Sequence, residues 1–136
     1  MKVFFLVLNV GLFLSTFSME VVRSIPKNTL IDAIIYVESR GDVNAHNIKE
    51  NAVGCLQIRP ILVREVNRLL AKNDIPKVYT LEDRWNKQKS IEMFNVIKEN
   101  TTNPTNEKLA RNWNGGWNGY KKQSTLAYWH KVKAQL

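Results

Sequence analysis

The sequence predicts a mainly α-helical single domain, and three observations carry that prediction. Apolar residues recur at offsets of three and four in successive stretches. Strand signals are nearly absent. After an apolar leader, the chain is one domain long and contains no repeat, low-complexity tract or second domain.

Residues 1–18 read as a signal peptide. Lys2 supplies a positive start, Val3 to Leu14 is nearly all apolar, and Thr16 and Ser18 suit the small-residue positions of a signal-peptidase site. That puts cleavage after Ser18. An uncleaved anchor is the alternative, although the run is short for a span and Asn9 and Gly11 interrupt it. Residues 19–136 then form an exported domain in the periplasm, cell envelope or medium, with no stable membrane span after processing.

The formal charge is +8, and removing residues 1–18, which carry Lys2 and no acid, leaves +7. Such a balance favours anionic partners such as cell-wall polymers or membrane surfaces. Lys and Arg are scattered and no nucleic-acid-binding motif occurs, so nucleic acid is not expected among them. Cys55 is the only cysteine, which leaves packing alone to hold an exported fold, and it reads as a small buried hydrophobe. His46 and His130 lack metal-ligand spacing, so no metal or other cofactor is expected.

The first helix is marked by Leu30, Ile31, Ala33, Ile34, Ile35 and Val37, with Asn28 or Thr29 to cap it and Gly41 to stop it. A polar loop, Gly41 to Asn51, leads to the segment AVGCLQIRP, Ala52 to Pro60. The next helix is expected from about Pro60 to Ala71, with Pro60 in its first turn and Leu62, Val66, Leu69 and Leu70 along one side. Lys72 to Tyr79 is a connection in which Val78 offers room for a very short strand. Thr80 and Asp83 form a capping pair for a long helix, about Leu81 to Glu99, whose core positions are Leu81, Trp85, Ile91, Phe94 and Ile97. Asn100 to Asn106, with Pro104, breaks it. Helical character resumes over Glu107 to Trp113, and Asn112 to Tyr120 is dense in Asn, Gly and Trp. A last helix, about Ser124 to Ala134, offers Leu126, Trp129 and Val132.

Glu38 is where this pattern acquires chemistry. It falls in the last turn of the first helix, where the helix dipole and an apolar wall both disfavour the ionised carboxylate. A carboxylic acid kept neutral near pH 7 is what a general acid for glycoside cleavage must be. The alternative is a solvated Glu at a helix end. Gln57 has two readings as well: a groove-lining polar group, or a backbone cap in a tight turn made by Gly54. Trp113 and Trp117 either stack on sugar rings or pin a loop to the core. Tyr120 and Tyr128 read as packing residues.

Three stretches occur in order: ESRGDVNA from Glu38, AVGCLQI from Ala52 and ARNWNGG from Ala110. Together they resemble the motifs of the soluble-type (SLT-like) lytic transglycosylases, within the lysozyme-like superfamily that includes goose-type lysozymes. The resemblance covers about Leu30 to Lys133. It implies a lysozyme-like, mainly α fold with a substrate cleft, acting on the β-1,4 bond between N-acetylmuramic acid and N-acetylglucosamine in peptidoglycan glycan strands. It further implies that Glu38 is the single catalytic acid/base, that Ser39 sits at the substrate and that Gln57 contacts sugar. The third motif normally reads Ala-Tyr-Asn-x-Gly with Tyr and Asn in the site; here Trp113 stands where the Tyr is expected, followed by Asn114. An indole offers an N–H donor and no acceptor, unlike a tyrosine hydroxyl.

Ordinary glycosidases use a second carboxylate, for which Asp42 is the nearest candidate. The resemblance implies another route, in which the substrate's N-acetyl group assists, the sugar's 6-hydroxyl attacks C1, and 1,6-anhydro ends are left. Three rivals stand beside this expectation. They are a hydrolytic lysozyme using the same Glu38, a catalytically degenerate peptidoglycan-binding component, and a cationic membrane-active protein. A partnership with a cell-envelope machine stays open.

Overall fold

The computed structural model describes residues 28–136; the expected signal peptide over residues 1–18 lies outside them. The chain is mainly helical. Among the described residues five α-helices run in order: α1 Leu30–Ser39, α2 Pro60–Lys72, α3 Lys87–Glu99, α4 Asn106–Gly115 and α5 Leu126–Lys133. Between α1 and α2 lies a two-stranded antiparallel hairpin, β1 His46–Asn47 with β2 Ala52–Val53, in which His46 faces Val53 and Asn47 faces Ala52. Among the described residues no helix is long and apolar enough to cross a membrane.

Local chemistry explains where α1 begins and ends. Thr29 is its cap: the Asp32 N–H donates to Thr29 Oγ1 and the Thr29 N–H to Asp32 Oδ2, both at 3.3 Å. Ala33, Ile34 and Ile35 are buried against the core. The helix stops at Arg40, which adopts the left-handed conformation (φ 55°) one residue before Gly41, and the Arg40 N–H closes the last turn on the Tyr36 carbonyl.

The segment Ala52 to Ile58 passes through the middle of the molecule. Ala52, Val53, Cys55, Leu56 and Ile58 are all buried, and Val53 and Ile58 exchange backbone hydrogen bonds that close a tight turn. Cys55 is thus the small buried hydrophobe expected. Gly54 is required at its position. Its φ is 76°, and a Cβ there would lie 2.0 Å from the Arg84 carbonyl oxygen.

The long helix expected from Leu81 to Glu99 is two elements. Thr80 and Asp83 pair as anticipated, but they open only a 3-10 turn, Glu82–Trp85, and α3 begins after Asn86, whose side chain accepts the Lys89 N–H. The cause is Arg84. Its guanidinium is drawn inward to donate to the carbonyls of Asn51, Ile58 and Leu81 at 2.9, 3.1 and 2.8 Å, and so ties this turn to the buried segment. Leu81 is correspondingly exposed instead of core, Trp85 packs edge-on to His46, and Val78 is an exposed connection residue rather than a strand. The last helix also starts later than expected, at Leu126, after a 3-10 turn at Gln123–Thr125. There the buried Thr125 hydroxyl is held by Arg111 and the Gly119 and Lys122 carbonyls.

In the assembled core α1 packs on α4 and α5, and α2 packs on α3. Ile34, Leu56, Ile58, Val66, Met93 and Val132 fill the space between them without exposure to solvent.

Candidate active site

The last turn of α1, the hairpin, the start of α2 and the end of α4 leave a cleft of about 500 Å³ between them. Glu38, Gln57, Trp113 and Asn114 all line it, so residues spread over most of the chain converge on one surface.

Ser39 is not among the residues lining the cleft, because its hydroxyl turns back to the protein: Oγ donates toward the Cys55 carbonyl at 2.8 Å and accepts the Gly41 N–H at 3.1 Å. Ser39 therefore fastens the end of α1 to the turn that carries Gln57. Asp42 also lies outside the cleft, exposed and folded onto the Asn44 N–H at 2.8 Å.

Glu38 is half-buried, and the loss of solvent pushes its carboxyl up from 4.5 to about 7. Three other influences are weaker. A hydrogen bond from Tyr128 and the positive charge of Arg59 pull it down, while the charge of Glu50 pushes it up. The Tyr128 hydroxyl donates to Glu38 Oε1 at 2.7 Å. Burial, and then the neighbouring carboxyl, drive the Tyr128 phenol above its ordinary value, so it remains a donor. With Oε1 accepting from Tyr128, Oε2 is left to carry the acidic proton.

Tyr128 is therefore more than the packing residue that its sequence context suggests. It brings a hydroxyl donor to the Glu38 carboxyl, and it does so from α5. Trp113 is not placed to donate there. Its indole N–H donates to the Leu56 carbonyl at 3.3 Å and its ring meets Phe94 edge-on at 5.2 Å, so it fixes α4 on the buried segment while lining the cleft.

Gln57 combines its two readings. Its φ is 48° and its amide NH₂ donates to the Ala45 and Gly54 carbonyls at 3.1 and 3.0 Å, bracing the turn. Among the described residues no hydrogen bond reaches the amide oxygen. Asn114 is exposed in the last turn of α4, and Arg59 reaches within 3.5 Å of its backbone carbonyl oxygen.

Sequence reasoning missed Arg59, Glu50 and Glu65, all of which line the cleft. Glu50 lies in the polar loop, Glu65 on α2 and Arg59 between Ile58 and Pro60, and only the fold turns them toward one another. Among the described residues no three His, Cys, Asp or Glu side chains group as metal ligands. No protein-family model, curated protein or solved structure matches this chain. The cleft brings together a carboxyl raised to about 7, a fixed hydroxyl donor and a guanidinium.

Proposed function

We propose that this chain has a lysozyme-like fold and acts as a lytic transglycosylase. It is exported to the cell envelope and cleaves the β-1,4 bond between N-acetylmuramic acid and N-acetylglucosamine in peptidoglycan. The observation that carries the reading is Glu38, protonated up to about pH 7 on the wall of a cleft and gripped by Tyr128. The motif resemblance supports it.

The chemistry follows from a group poised to both give and take a proton. Glu38 Oε2 protonates the glycosidic oxygen as the bond to C1 breaks, and the substrate's N-acetyl group stabilises the oxocarbenium-like carbon. Glu38 is then a carboxylate, the form that Tyr128 and Arg59 favour. It next takes the proton of the 6-hydroxyl as that oxygen attacks C1, which leaves a 1,6-anhydro end and restores the neutral acid. No second carboxylate takes part in this route. Gln57 and Asn114 hold sugar, and Trp113 bounds the groove.

A hydrolytic lysozyme is the second reading, and Glu50 is the observation that favours it, because it is a further carboxylate on the cleft able to activate a water. Mass spectrometry of muropeptides released from purified sacculi separates the two, since anhydro ends are lighter by one water. Glu38→Gln should bind sacculi and release nothing. Turnover of sacculi by that variant at the parent rate would falsify both readings. Binding by the parent chain with no release above the Glu38→Gln background would leave a peptidoglycan-binding component.

A further inference from the structure

At the end of the cleft formed by α2 and the turn after α4, two large apolar side chains stand in solvent. Trp117 is 40% exposed and Ile61 is 63% exposed, and both line the cleft. An exposed tryptophan on a cleft wall needs an explanation, and the two readings open from the sequence can be separated by its contacts.

A loop pin would look like Trp113, which packs against the core and spends its N–H on a backbone carbonyl. Trp117 is not among the residues packed on that core. Its indole N–H instead donates to Glu65 Oε1 at 2.8 Å. Glu65 is in turn clamped by Arg68 through both carboxylate oxygens, Nε to Oε2 at 2.8 Å and Nη2 to Oε1 at 2.7 Å. The ring is thus oriented from its edge, while two-fifths of the residue stays open to solvent on the cleft. Beside it, Gly116 at φ 80° has nothing within 4 Å of where a Cβ would stand, so the approach is open. The paired charges of Glu65 and Arg68 offset each other, which favours neither a cationic nor an anionic occupant.

We infer that Trp117 is a sugar platform that stacks against an uncharged N-acetylhexosamine ring of the glycan, outside the bond being cleaved. Glu65 and Arg68 are positioning residues that hold the plane of the indole. The inference rests on the glycan-cleaving reading for its ligand class, and its geometry is independent of Glu38. The apolar C–H face of a pyranose covers the indole surface, while ring hydroxyls keep their water at the open side. Ile61, one turn before Glu65 on the same face of α2, extends the apolar surface.

The test uses the chain carrying Glu38→Gln, titrated by calorimetry with N-acetylglucosamine oligomers from dimer to hexamer. Affinity should climb with oligomer length. Trp117→Ala should weaken the hexamer about tenfold and flatten the length dependence. Glu65→Ala should weaken it in the same direction, and Glu65→Gln, whose amide oxygen still accepts the indole N–H, should recover most of the loss. Once Trp117 is Ala, Glu65→Ala should cost nothing more, a non-additivity that a merely structural role does not produce. The hexamer of deacetylated, cationic glucosamine should bind no better than the acetylated one.

Unchanged hexamer affinity in Trp117→Ala overturns the inference, as does the absence of saturable binding by the Trp117 form. An equal Glu65→Ala loss with and without Trp117 overturns the positioning role. Binding that depends on Trp117, in a protein whose Glu38 form releases nothing from sacculi, keeps the platform and removes the catalytic reading. Release of anhydro muropeptides with an indifferent Trp117→Ala does the reverse.

Discussion

Glu38 and Glu65 are the same residue type on two walls of one cleft, and their carboxyls are shifted in opposite directions. Glu38 stands at the C-terminal turn of α1, where burial outweighs its hydrogen bond and raises it to about 7. Glu65 stands on an exposed stretch of α2, where the hydrogen bonds from Arg68 outweigh a slight loss of solvent and hold it below its ordinary value. Both accept one aromatic donor, Tyr128 in the first case and Trp117 in the second. The donor therefore does not set the protonation state. The balance between desolvation and a cation in contact does, and it makes one carboxyl an acid and the other a bracket.

The largest effect expected from this difference is on turnover. Glu38→Gln should lower the release of muropeptides from purified sacculi by about a hundredfold to ten-thousandfold, the range a positioned general acid supplies. Glu65→Ala, which removes the acceptor of the Trp117 N–H, should act mainly on KM. Equal losses in kcat for the two variants would erase the distinction between the walls.

Stability should separate them next. The folded chain keeps Glu38 neutral up to about pH 7, whereas the unfolded chain ionises it near 4.5. Below 4.5 both states are protonated and nothing is lost. As pH rises from there to 7, the unfolded state gains charge first and the folded state is destabilised, by roughly 3 kcal/mol once both have ionised. Glu38→Gln lacks this penalty and keeps an acceptor for Tyr128. Its Tm should match the parent's below pH 4.5, exceed it increasingly up to about pH 7, and hold a constant margin above. A margin that is already present in acid would show that the carboxyl is not buried as described.

Tyr128→Phe tests the smaller influences on Glu38. Loss of the hydroxyl removes a bond that favours the carboxylate, so the Glu38 pKa should rise above about 7 and the alkaline limb of kcat/KM should move to higher pH. The rate at the optimum should fall about tenfold, because the carboxylate formed after proton transfer loses its donor. A limb that moves to lower pH would contradict the assignment.

How much of this was legible in the chain depends on how local the cause is. The position of Glu38 at the foot of an apolar helix follows from residues within one helix, with Thr29 and Arg40–Gly41 at its ends. Gln57 was legible for the same reason, because Gly54 dictates the turn that carries it. Tyr128 was not, because it lies 90 residues from Glu38 along the chain, and nothing in α5 distinguishes a tyrosine facing a carboxyl from one facing a leucine. The direction of Ser39 was not legible either, because a motif gives neighbours in sequence, while the Cys55 carbonyl that captures its hydroxyl is a neighbour only in space. The break at Asn86 was hidden by an apolar period running through it; the inward turn of Arg84 that enforces the break depends on the Asn51 and Ile58 carbonyls, which no spacing announces.

The smallest expected effect concerns the other wall. Arg68→Ala removes the largest influence on Glu65, so the Glu65 carboxyl should rise to its ordinary value or slightly above it, because its loss of solvent outweighs the bond from the Trp117 N–H. Thermal stability should scarcely move, because the pair is exposed to water and salt already screens it. Carboxyl chemical shifts followed by NMR across the acid range read the change directly, and Glu38 serves as the internal reference well above it. If Glu65 in Arg68→Ala climbed to the Glu38 value, desolvation would have to be the dominant influence on both walls, and the division into acid and bracket would be a matter of degree.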